Sequence, residues 1–142
     1  MIKRVTLGEE LVITVKNKIG LMAEISEMLA NRGINIESAL GYESGRTAKL
    51  MLVTNANLAI VNELKKKKYK SVKETEVVMV ELLDRPGAMK VVTTELKKAR
   101  IDIKYLYVTS PSVRQGSSRM VISTSDNEAA MALLAKFTES GD

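Results

Sequence analysis

Two short polar turns, each closed by a glycine, carry the residue types best suited to holding a small molecule. One is Asn17–Gly20, and the other, Asp84–Gly87, begins 67 positions later; each stands between an apolar run and a helical pattern. The first N–H groups of a helix have no partner inside it and lie at its positive end, so they suit a carboxylate. Glycine lets the backbone approach a ligand closely, and Asn offers both a donor and an acceptor. The two turns therefore predict sites for a small polar molecule.

Nucleophilic catalysis and the usual zinc sites are excluded by the residue types that the chain lacks. The 142 residues include no Cys and no His, which removes Ser-His and Cys-His pairs and the thiolate and imidazole ligands. Lys90 and Lys104 could act as amine nucleophiles, but a surface lysine is the ordinary case. The carboxylates that could serve in acid–base catalysis are Glu24, Glu27, Asp84, Glu95 and Asp102. No two of them have a recognisable catalytic spacing, so we expect no enzyme, no catalytic residue, no metal and no cofactor.

The composition favours a soluble, folded protein with an aliphatic core. Apolar residues make up 45% of the chain and aromatic residues only 4%, without Trp. No apolar run approaches the roughly 20 residues that span a bilayer, and the basic start, Met1–Arg4, lacks the apolar stretch of a signal peptide. The formal net charge is +5, and much of it lies in the lysine run at 65–70. We therefore expect a cytoplasmic protein without a membrane segment.

Hydrophobic periodicity predicts the same order of elements twice. Alternating apolar residues indicate strands, and apolar residues three or four positions apart indicate helices. The first copy predicts a strand at 11–16, a helix at 21–32 ended by Gly33, a strand at 34–42, a turn at Ser44-Gly45, a strand at 48–54, a helix through Leu64 closed by the lysine run, and a strand from Ser71. The second predicts a strand at 77–83, a helix through Leu96, a strand at 101–109, a loop at 110–117, a strand at 119–124, and a helix capped by Ser125-Asp126 that carries Met131, Leu134 and Phe137.

The two copies align at a nearly constant shift, which indicates an internal repeat. A shift of 67 pairs Gly20 with Gly87, and beyond the loop a shift of 70 pairs Leu64 with Leu134. The three extra residues fall inside a loop, where insertions are tolerated. The second copy ends after its second helix, so we expect the start of the chain to supply its fourth strand; the alternative is a frayed amino terminus. The predicted units are 9–76 and 77–142, with 2–7 as the fourth strand of the second.

A βαββαβ unit with an Asn/Asp-x-Pro-Gly-like turn after its first strand resembles the ACT domain, a regulatory amino-acid-binding module. The residues that carry the resemblance are Lys16–Met22 and Gly33–Ile36 in the first copy, and Leu83–Met89 and Ile101–Ile103 in the second. The first copy departs from the pattern in having Ile19 where proline is expected, which puts the rigidity of its turn in doubt. The resemblance covers nearly the whole chain as two tandem copies.

The resemblance implies an α+β fold of two ferredoxin-like βαββαβ units, each an antiparallel sheet with helices on one face. It also implies association, commonly as a homodimer, a free amino acid or similar small metabolite as ligand, and a possible partner enzyme. Ligand sites of the family lie where the turn after strand one meets the start of strand two. Carried over by position, the implied ligand-binding residues are Asn17, Lys18, Ile19, Gly20, Leu21, Asn35, Asp84, Arg85, Pro86, Gly87, Ala88 and Asp102.

The key positions differ between the copies, with two amides, Asn17 and Asn35, in the first and two acids, Asp84 and Asp102, in the second. Two carboxylates facing one pocket would favour an ammonium or a cation over a carboxylate. We therefore predict that the first copy is the better amino-acid site. The alternatives are that Asn17 and Asp84 only cap the following helices, and that Asn35 and Asp102 are merely exposed on the open side of the sheet.

Two other functions remain open from the sequence. A ferredoxin-like sheet also binds RNA in other proteins, and Tyr105 and Tyr107 share a strand face on which bases could stack. The third strands contain no aromatic residue, however, so nucleic acid is the weaker alternative and the tyrosines are better interpreted as interface residues. The protein could also be a ligand-independent regulatory subunit of a biosynthetic enzyme. Val12 and Met79, opposite the predicted core face, mark where association would occur.

Overall fold

The computed structural model describes residues 1–67, 69, 71–109 and 116–139. The strands among these residues are β1 Ile2–Lys16, β2 Ile36–Ser44, β3 Thr47–Thr54, β4 Ser71–Leu83, β5 Ile103–Thr109 and β6 Ser117–Thr124. The helices are α1 Leu21–Asn31, α2 Asn57–Lys66, α3 Ala88–Lys98 and α4 Asn127–Ala135. The protein is α+β, as predicted, with an antiparallel sheet in the order β2-β3-β1-β4-β6-β5.

Two strands are longer than the sequence predicts. The sequence indicates separate strands at 2–7 and 11–16, but β1 runs through both without a break. In the same way, β4 joins the strand expected from Ser71 to the one expected at 77–83. Polar residues interrupt the apolar alternation at both joins, but a strand is held by its backbone ladder, which side-chain polarity does not interrupt.

The chain divides into two compact units whose boundaries fall inside β1 and β4. The continuous unit is Glu9–Thr75, and the two-segment unit is Met1–Gly8 together with Glu76–Asp142. In the continuous unit β1 pairs antiparallel with β3, and β3 pairs antiparallel with β2. In the two-segment unit β4 pairs antiparallel with β6, and β6 pairs antiparallel with β5.

The core of the continuous unit lies between one face of its strands and both of its helices. The strands contribute alternate residues, among them Leu11, Ile13, Leu50 and Leu52. Helix α1 buries Leu21, Ile25, Met28 and Leu29 against them, and α2 buries Ile60 and Leu64. Each fully buried leucine or isoleucine stabilises the fold by about 1.5–3 kcal/mol relative to exposure. Gly33 follows α1 with a φ of 67°, as expected of a helix-ending glycine.

The core of the two-segment unit is built in the same way. Alternate residues of β4, namely Val78, Val80 and Leu82, pack with residues of α3 and α4, and Ile2 of β1 belongs to the same cluster. Asp126 caps α4 as predicted, since its carboxylate accepts a hydrogen bond from the N–H of Ala129 at 3.0 Å. The prediction that Phe137 lies on the buried face of this helix is wrong. Helix α4 ends at Ala135, and Phe137 lies beyond its end and is exposed.

Two predicted features, the lysine run and the second loop, lie partly outside the residues that the structure describes. The lysine run closes α2 as predicted, with Lys65 and Lys66 in the last turn, but positions 68 and 70 lie outside the described residues. The same holds for positions 110–115 of the predicted loop. Within the part of the chain that the structure describes, no helix has the length and apolar character needed to cross a membrane.

Candidate functional site

The two turns have nearly the same backbone at their glycines. Gly20 has φ and ψ of 85° and 4°, and Gly87 has 91° and −11°, so both are left-handed. A side chain in this conformation costs about 1–2 kcal/mol, which explains why each turn needs a glycine. The following residue begins the helix: Leu21 begins α1 and Ala88 begins α3, and both are buried. Pro86 is exposed.

The N-cap position of each following helix is held by glycine, Gly20 before α1 and Gly87 before α3, and not by Asn17 or Asp84 as the capping interpretation has it. Instead, the N–H of Asn17 donates to the carbonyl oxygen of Arg46 at 2.8 Å, and its Nδ2 donates to Glu43 Oε2. Asn17 therefore ties the β1–α1 turn to the hairpin between β2 and β3. This arrangement leaves Oδ1 of Asn17 as an acceptor.

A cavity of about 330 Å³ opens beside this turn, within the continuous unit. Its lining combines the first turn of α1 with the facing parts of β2 and β3. The lining residues are Asn17, Lys18, Gly20, Leu21, Met22, Ala23, Gly41, Tyr42, Ala48 and Leu50. The cavity thus has a polar end at the turn and a largely apolar wall on the strands, a combination that suits a small molecule carrying both kinds of group. Ile19, at the tip of the turn, is fully exposed.

Lys18, which lines the cavity, belongs to a network of three polar side chains. Its Nζ lies 2.8 Å from Glu24 Oε2, and Glu24 Oε1 accepts a hydrogen bond from the Tyr69 hydroxyl at 2.7 Å. The hydrogen bond from Lys18, followed by that from Tyr69, lowers the pKa of Glu24. Burial of the Tyr69 hydroxyl and its bond to Glu24 raise the pKa of Tyr69 to about 12. Glu24 is therefore a structural carboxylate here, held ionised by its two donors.

Asn35 does not belong to this cavity, although the sequence predicts it beside Asn17. Strands β1 and β2 both run antiparallel to β3, so they are parallel to each other. The last residue of β1 pairs with Thr47 and the first residue of β2 with Thr54, at opposite ends of β3. Seven residues of strand correspond to about 23 Å. The N–H of Asn35 donates to Asn55 Oδ1 at 3.3 Å, at the far end.

The two acids of the second copy are separated in the same way. The N–H of Asp84 donates to the carbonyl oxygen of Gly116 at 2.9 Å, before β6 begins. The N–H of Asp102 donates to Ser125 Oγ at 3.0 Å, after β6 ends. The two carboxylates therefore do not share a pocket within this unit, and the condition under which they would favour a basic group is not met.

The turn of the two-segment unit is in contact with Met1. Arg85 Nε lies 3.4 Å from the sulfur of Met1, and the methyl carbon of Met1 lies 3.6 Å from where a Cβ on Gly87 would stand. The N–H of Leu83 donates to the carbonyl oxygen of Met1 at 2.9 Å. The amino group of Met1 pairs with Glu139, and this bond lowers the pKa of the Glu139 carboxyl. The Met1 side chain therefore lies against Gly87, whereas no atom of the described residues beyond its chain neighbours lies within 4 Å of the corresponding position at Gly20.

The structure weakens the alternative of RNA binding. Tyr107 is only 9% exposed, so its ring offers little surface on which a base could stack. Tyr105 is half-buried on the same face of β5.

Among the described residues, no group of three or more acidic residues could hold a metal ion.

Comparison with known proteins agrees with the geometry of the continuous unit. Residues 10–73 match the model of the ACT domain. The matched range lies within the continuous unit, Glu9–Thr75, and includes the β1–α1 turn and every residue that lines the cavity. No match was found among functionally curated proteins.

Several solved structures have a fold similar to that of the chain. A protein from Bacteroides thetaiotaomicron has a TM-score of 0.84 at 23% identity, covering 94% of this chain and 90% of that one. The ligand-free regulatory subunit of aspartate kinase from Thermus thermophilus has a TM-score of 0.68 at 14% identity, covering 98% and 100%. The aspartokinase alpha and beta subunits give 0.63 at 16% identity, covering 96% and 97%. At these sequence identities the similarity shows only that the fold is shared.

Sequence reasoning missed the hairpin side of the cavity. Tyr42, Ala48 and Leu50 line it, and Glu43 holds Asn17, yet none of the four stands out in the sequence. The signal that could have found them is topological. In a βαββ arrangement with antiparallel pairing, the end of the second strand and the start of the third return to the end of the first.

Proposed function

We propose that the protein is a non-catalytic regulatory protein that senses a free amino acid in the cavity of its ACT domain. The observation that carries this proposal is the 330 Å³ cavity at the start of α1, bounded by Asn17 at one end and by apolar strand residues at the other. Such a cavity offers separate places for the charged groups and the side chain of one amino acid.

The lining offers a place for each group of the proposed ligand. The carboxylate faces the first turn of α1, where Met22 and Ala23 line the cavity and the helix N–H groups lack intrahelical partners. The ammonium donates to Oδ1 of Asn17, which the bond from Nδ2 to Glu43 orients. The variable side chain lies against Ala48 and Leu50. About ten heavy atoms at about 0.5 kcal/mol each correspond to a dissociation constant on the order of 0.1–1 mM.

We further propose that the two-segment unit is a second ACT-type copy without an equivalent open site. A bond network shared by both units supports this repeat. Asn57 Oδ1 accepts from the hydroxyl of Thr54 at 2.5 Å, and Asn127 Oδ1 accepts from that of Thr124 at 2.8 Å. The contact of Met1 with Gly87 supports a closed turn in this unit. The proposed ligand residues of this copy, Asp84 to Ala88 and Asp102, are therefore structural.

Association transmits the signal in this proposal. Ile19, Met22 and Tyr42 are exposed apolar side chains around the cavity, with exposed fractions of 104%, 39% and 46%. A partner surface that covers them would sense whether the cavity is filled. A second copy of this chain, as a homodimer, or a biosynthetic enzyme in the cytoplasm fits this role. Two solved structures of similar fold are regulatory subunits of aspartate kinase, which supports an enzyme partner.

Thermal-shift measurements with the common amino acids test the proposal, because a ligand that binds the native state raises Tm. We expect one amino acid, or a few related ones, to raise the Tm of the wild type and of Asn35→Ala. Asn17→Ala, which removes the proposed acceptor, should lose most of this shift. No shift with any amino acid, or equal shifts in Asn17→Ala and wild type, would count against the site. Pull-down from the native host with and without the active amino acid separates sensing from ligand-independent association.

A further inference from the structure

A second cavity, of about 220 Å³, lies between α1 and α2 in the continuous unit. We name it the helix groove. The residues that define it here are Met28, Leu29 and Arg32 from α1 and its C-cap, and Ala59, Ile60 and Glu63 from α2. Leu29 and Ile60 also belong to the hydrophobic core, so the groove opens directly onto it. The groove shares no lining residue with the cavity at the β1–α1 turn.

The open edge of the helix groove carries an excess of positive charge. Arg32 Nη2 donates to Glu63 Oε2 at 2.6 Å, and Lys67 Nζ lies 3.8 Å from Glu63 Oε1. Two cations thus share one carboxylate. More than half of the side-chain surface of Arg32 is accessible, which leaves its guanidinium able to take a second acceptor.

We propose that the helix groove binds a small carboxylate with an apolar body and no ammonium group. The apolar body packs on Met28, Leu29 and Ile60, where it removes apolar surface from water. The carboxylate accepts from Arg32, a geometry in which a guanidinium commonly holds carboxylates with two hydrogen bonds. An ammonium beside the same carboxylate would lie near Arg32 and Lys67, and like charges repel. The groove therefore differs in ligand class from the amino-acid site.

Ala59 gives the groove its width and also supplies a matched control. Its side chain lines the groove, so Ala59→Leu narrows the space that the ligand would occupy. At the corresponding position of α4, Ala129 is exposed as Ala59 is, and it lies in the two-segment unit. Ala129→Leu therefore makes the same chemical change on a helix that does not line the groove.

Two methionines report on the two cavities separately. Met28 lines the helix groove and Met22 lines the cavity at the β1–α1 turn. In protein with ¹³C-labelled methionine methyl groups, Met28→Leu and Met22→Leu assign the two resonances. We expect 4-methylpentanoate to shift the Met28 methyl resonance with saturation at low millimolar concentration, and to leave that of Met22 in place. Leucine is this acid with an added ammonium group, and leucinamide has the ammonium group but an amide in place of the carboxylate. Both should leave the Met28 resonance unshifted at the same concentrations.

The variants decide whether the groove is the site. Arg32→Gln should weaken the binding of 4-methylpentanoate about tenfold, and Ala59→Leu should abolish the Met28 shift, while Ala129→Leu behaves like the wild type. An unshifted Met28 in the wild type, or a Met28 response in Arg32→Gln and Ala59→Leu equal to that of the wild type, would overturn the proposal. A Met28 shift with leucine as large as that with 4-methylpentanoate would overturn the ligand class. None of these outcomes depends on the amino-acid site, on which Met22 reports.

Discussion

The hydroxyl of Tyr69 donates a hydrogen bond to Glu24 Oε1 at 2.7 Å. Tyr69 is 6% exposed and belongs to the core of the continuous unit, while Glu24 lies in the first turn of α1 and pairs with Lys18. The bond therefore links the core, the helix that carries the proposed site and the turn residue Lys18. Position 69 precedes β4, so the same bond also fixes the entry of that strand.

Alkaline pH should weaken the fold through Tyr69. Its pKa is raised to about 12 from the ordinary 10, so the folded state holds the phenol proton more tightly than the unfolded state. The associated stability is fully present below about pH 10 and is lost as the pH rises towards 12. Denaturant titrations followed by circular dichroism at several pH values between 9 and 12 should show this fall.

The control for this pH effect is Tyr69→Phe. Without the hydroxyl, the variant should lose about 1 kcal/mol at neutral pH and show a smaller fall in stability between pH 10 and 12. Tyr42→Phe, at an exposed position, should keep the pH profile of the wild type. A Tyr69→Phe profile as steep as that of the wild type would assign the alkaline transition to other groups.

A pair of carboxyl groups, Glu9 and Glu74, should lower the free energy of unfolding at neutral pH. A hydrogen bond with Glu9, followed by burial, raises the pKa of Glu74 above its ordinary value. Because the folded pKa is raised, the pair favours folding at acid pH, where Glu74 is protonated, and this contribution is lost as the pH rises through the folded pKa. Glu74→Gln keeps a donor for Glu9 at every pH. It should therefore raise the free energy of unfolding at pH 7 and show no gain at pH 3. Glu76→Gln, an exposed change in the other unit, should leave stability unchanged at both pH values.

The fold was predictable because its signals are local. Glycines at the turns, apolar spacing in the helices and alternation in the strands gave the element order, and the structure has these elements in that order. Gly20 and Gly87 are informative because only glycine accepts their left-handed backbone without strain. The join of β1 was not predictable, since Gly8-Glu9-Glu10 interrupts the apolar pattern and only the partner strands keep it extended.

The candidate site was only half predictable, because its second half is set by strand register. The turn from Asn17 to Leu21 lines the cavity as expected, apart from Ile19, which is not in its lining. Asn35 was placed beside Asn17 by family position, but pairing through β3 carries it to the other end of the sheet. Asn17 also bonds Glu43, a partner 26 positions away that no local pattern connects to it.

Replacing each turn glycine by alanine should separate a shared structural role from a binding role. Both glycines are left-handed, so Gly20→Ala and Gly87→Ala should each cost about 1–2 kcal/mol in the free energy of unfolding. Only Gly20 lines the cavity, so only Gly20→Ala should also weaken the binding of the active amino acid in calorimetric titration. Equal loss of binding in both variants would place a site in each unit, and unchanged binding in Gly20→Ala would contradict the proposed placement of the carboxylate.

Asn57, the first residue of α2, should contribute more to the free energy of unfolding than an ordinary residue at a helix start. Asn57 Oδ1 accepts from both the N–H and the hydroxyl of Thr54, and its Nδ2 donates to the carbonyl oxygen of Glu9 at 3.0 Å. Asn57→Ala removes all three bonds and leaves half-buried groups without partners, so we expect a loss of about 2–4 kcal/mol. Leu58→Ala, one residue along and 72% exposed, should cost less than about 0.5 kcal/mol.

The corresponding asparagine of α4 extends this prediction to the proposed second copy. Asn127 accepts from the N–H and hydroxyl of Thr124 and donates to the carbonyl oxygen of Glu76 at 2.9 Å. If the units are copies with one architecture, Asn127→Ala should cost about as much as Asn57→Ala, as measured by denaturant unfolding. Asn→Asp at either position keeps the two acceptor bonds but replaces the donor by a charge facing a carbonyl oxygen, so it should cost at least as much as alanine. A large loss of stability at one position and none at the other would contradict the shared architecture, because the same three bonds would then contribute unequally to the free energy of unfolding.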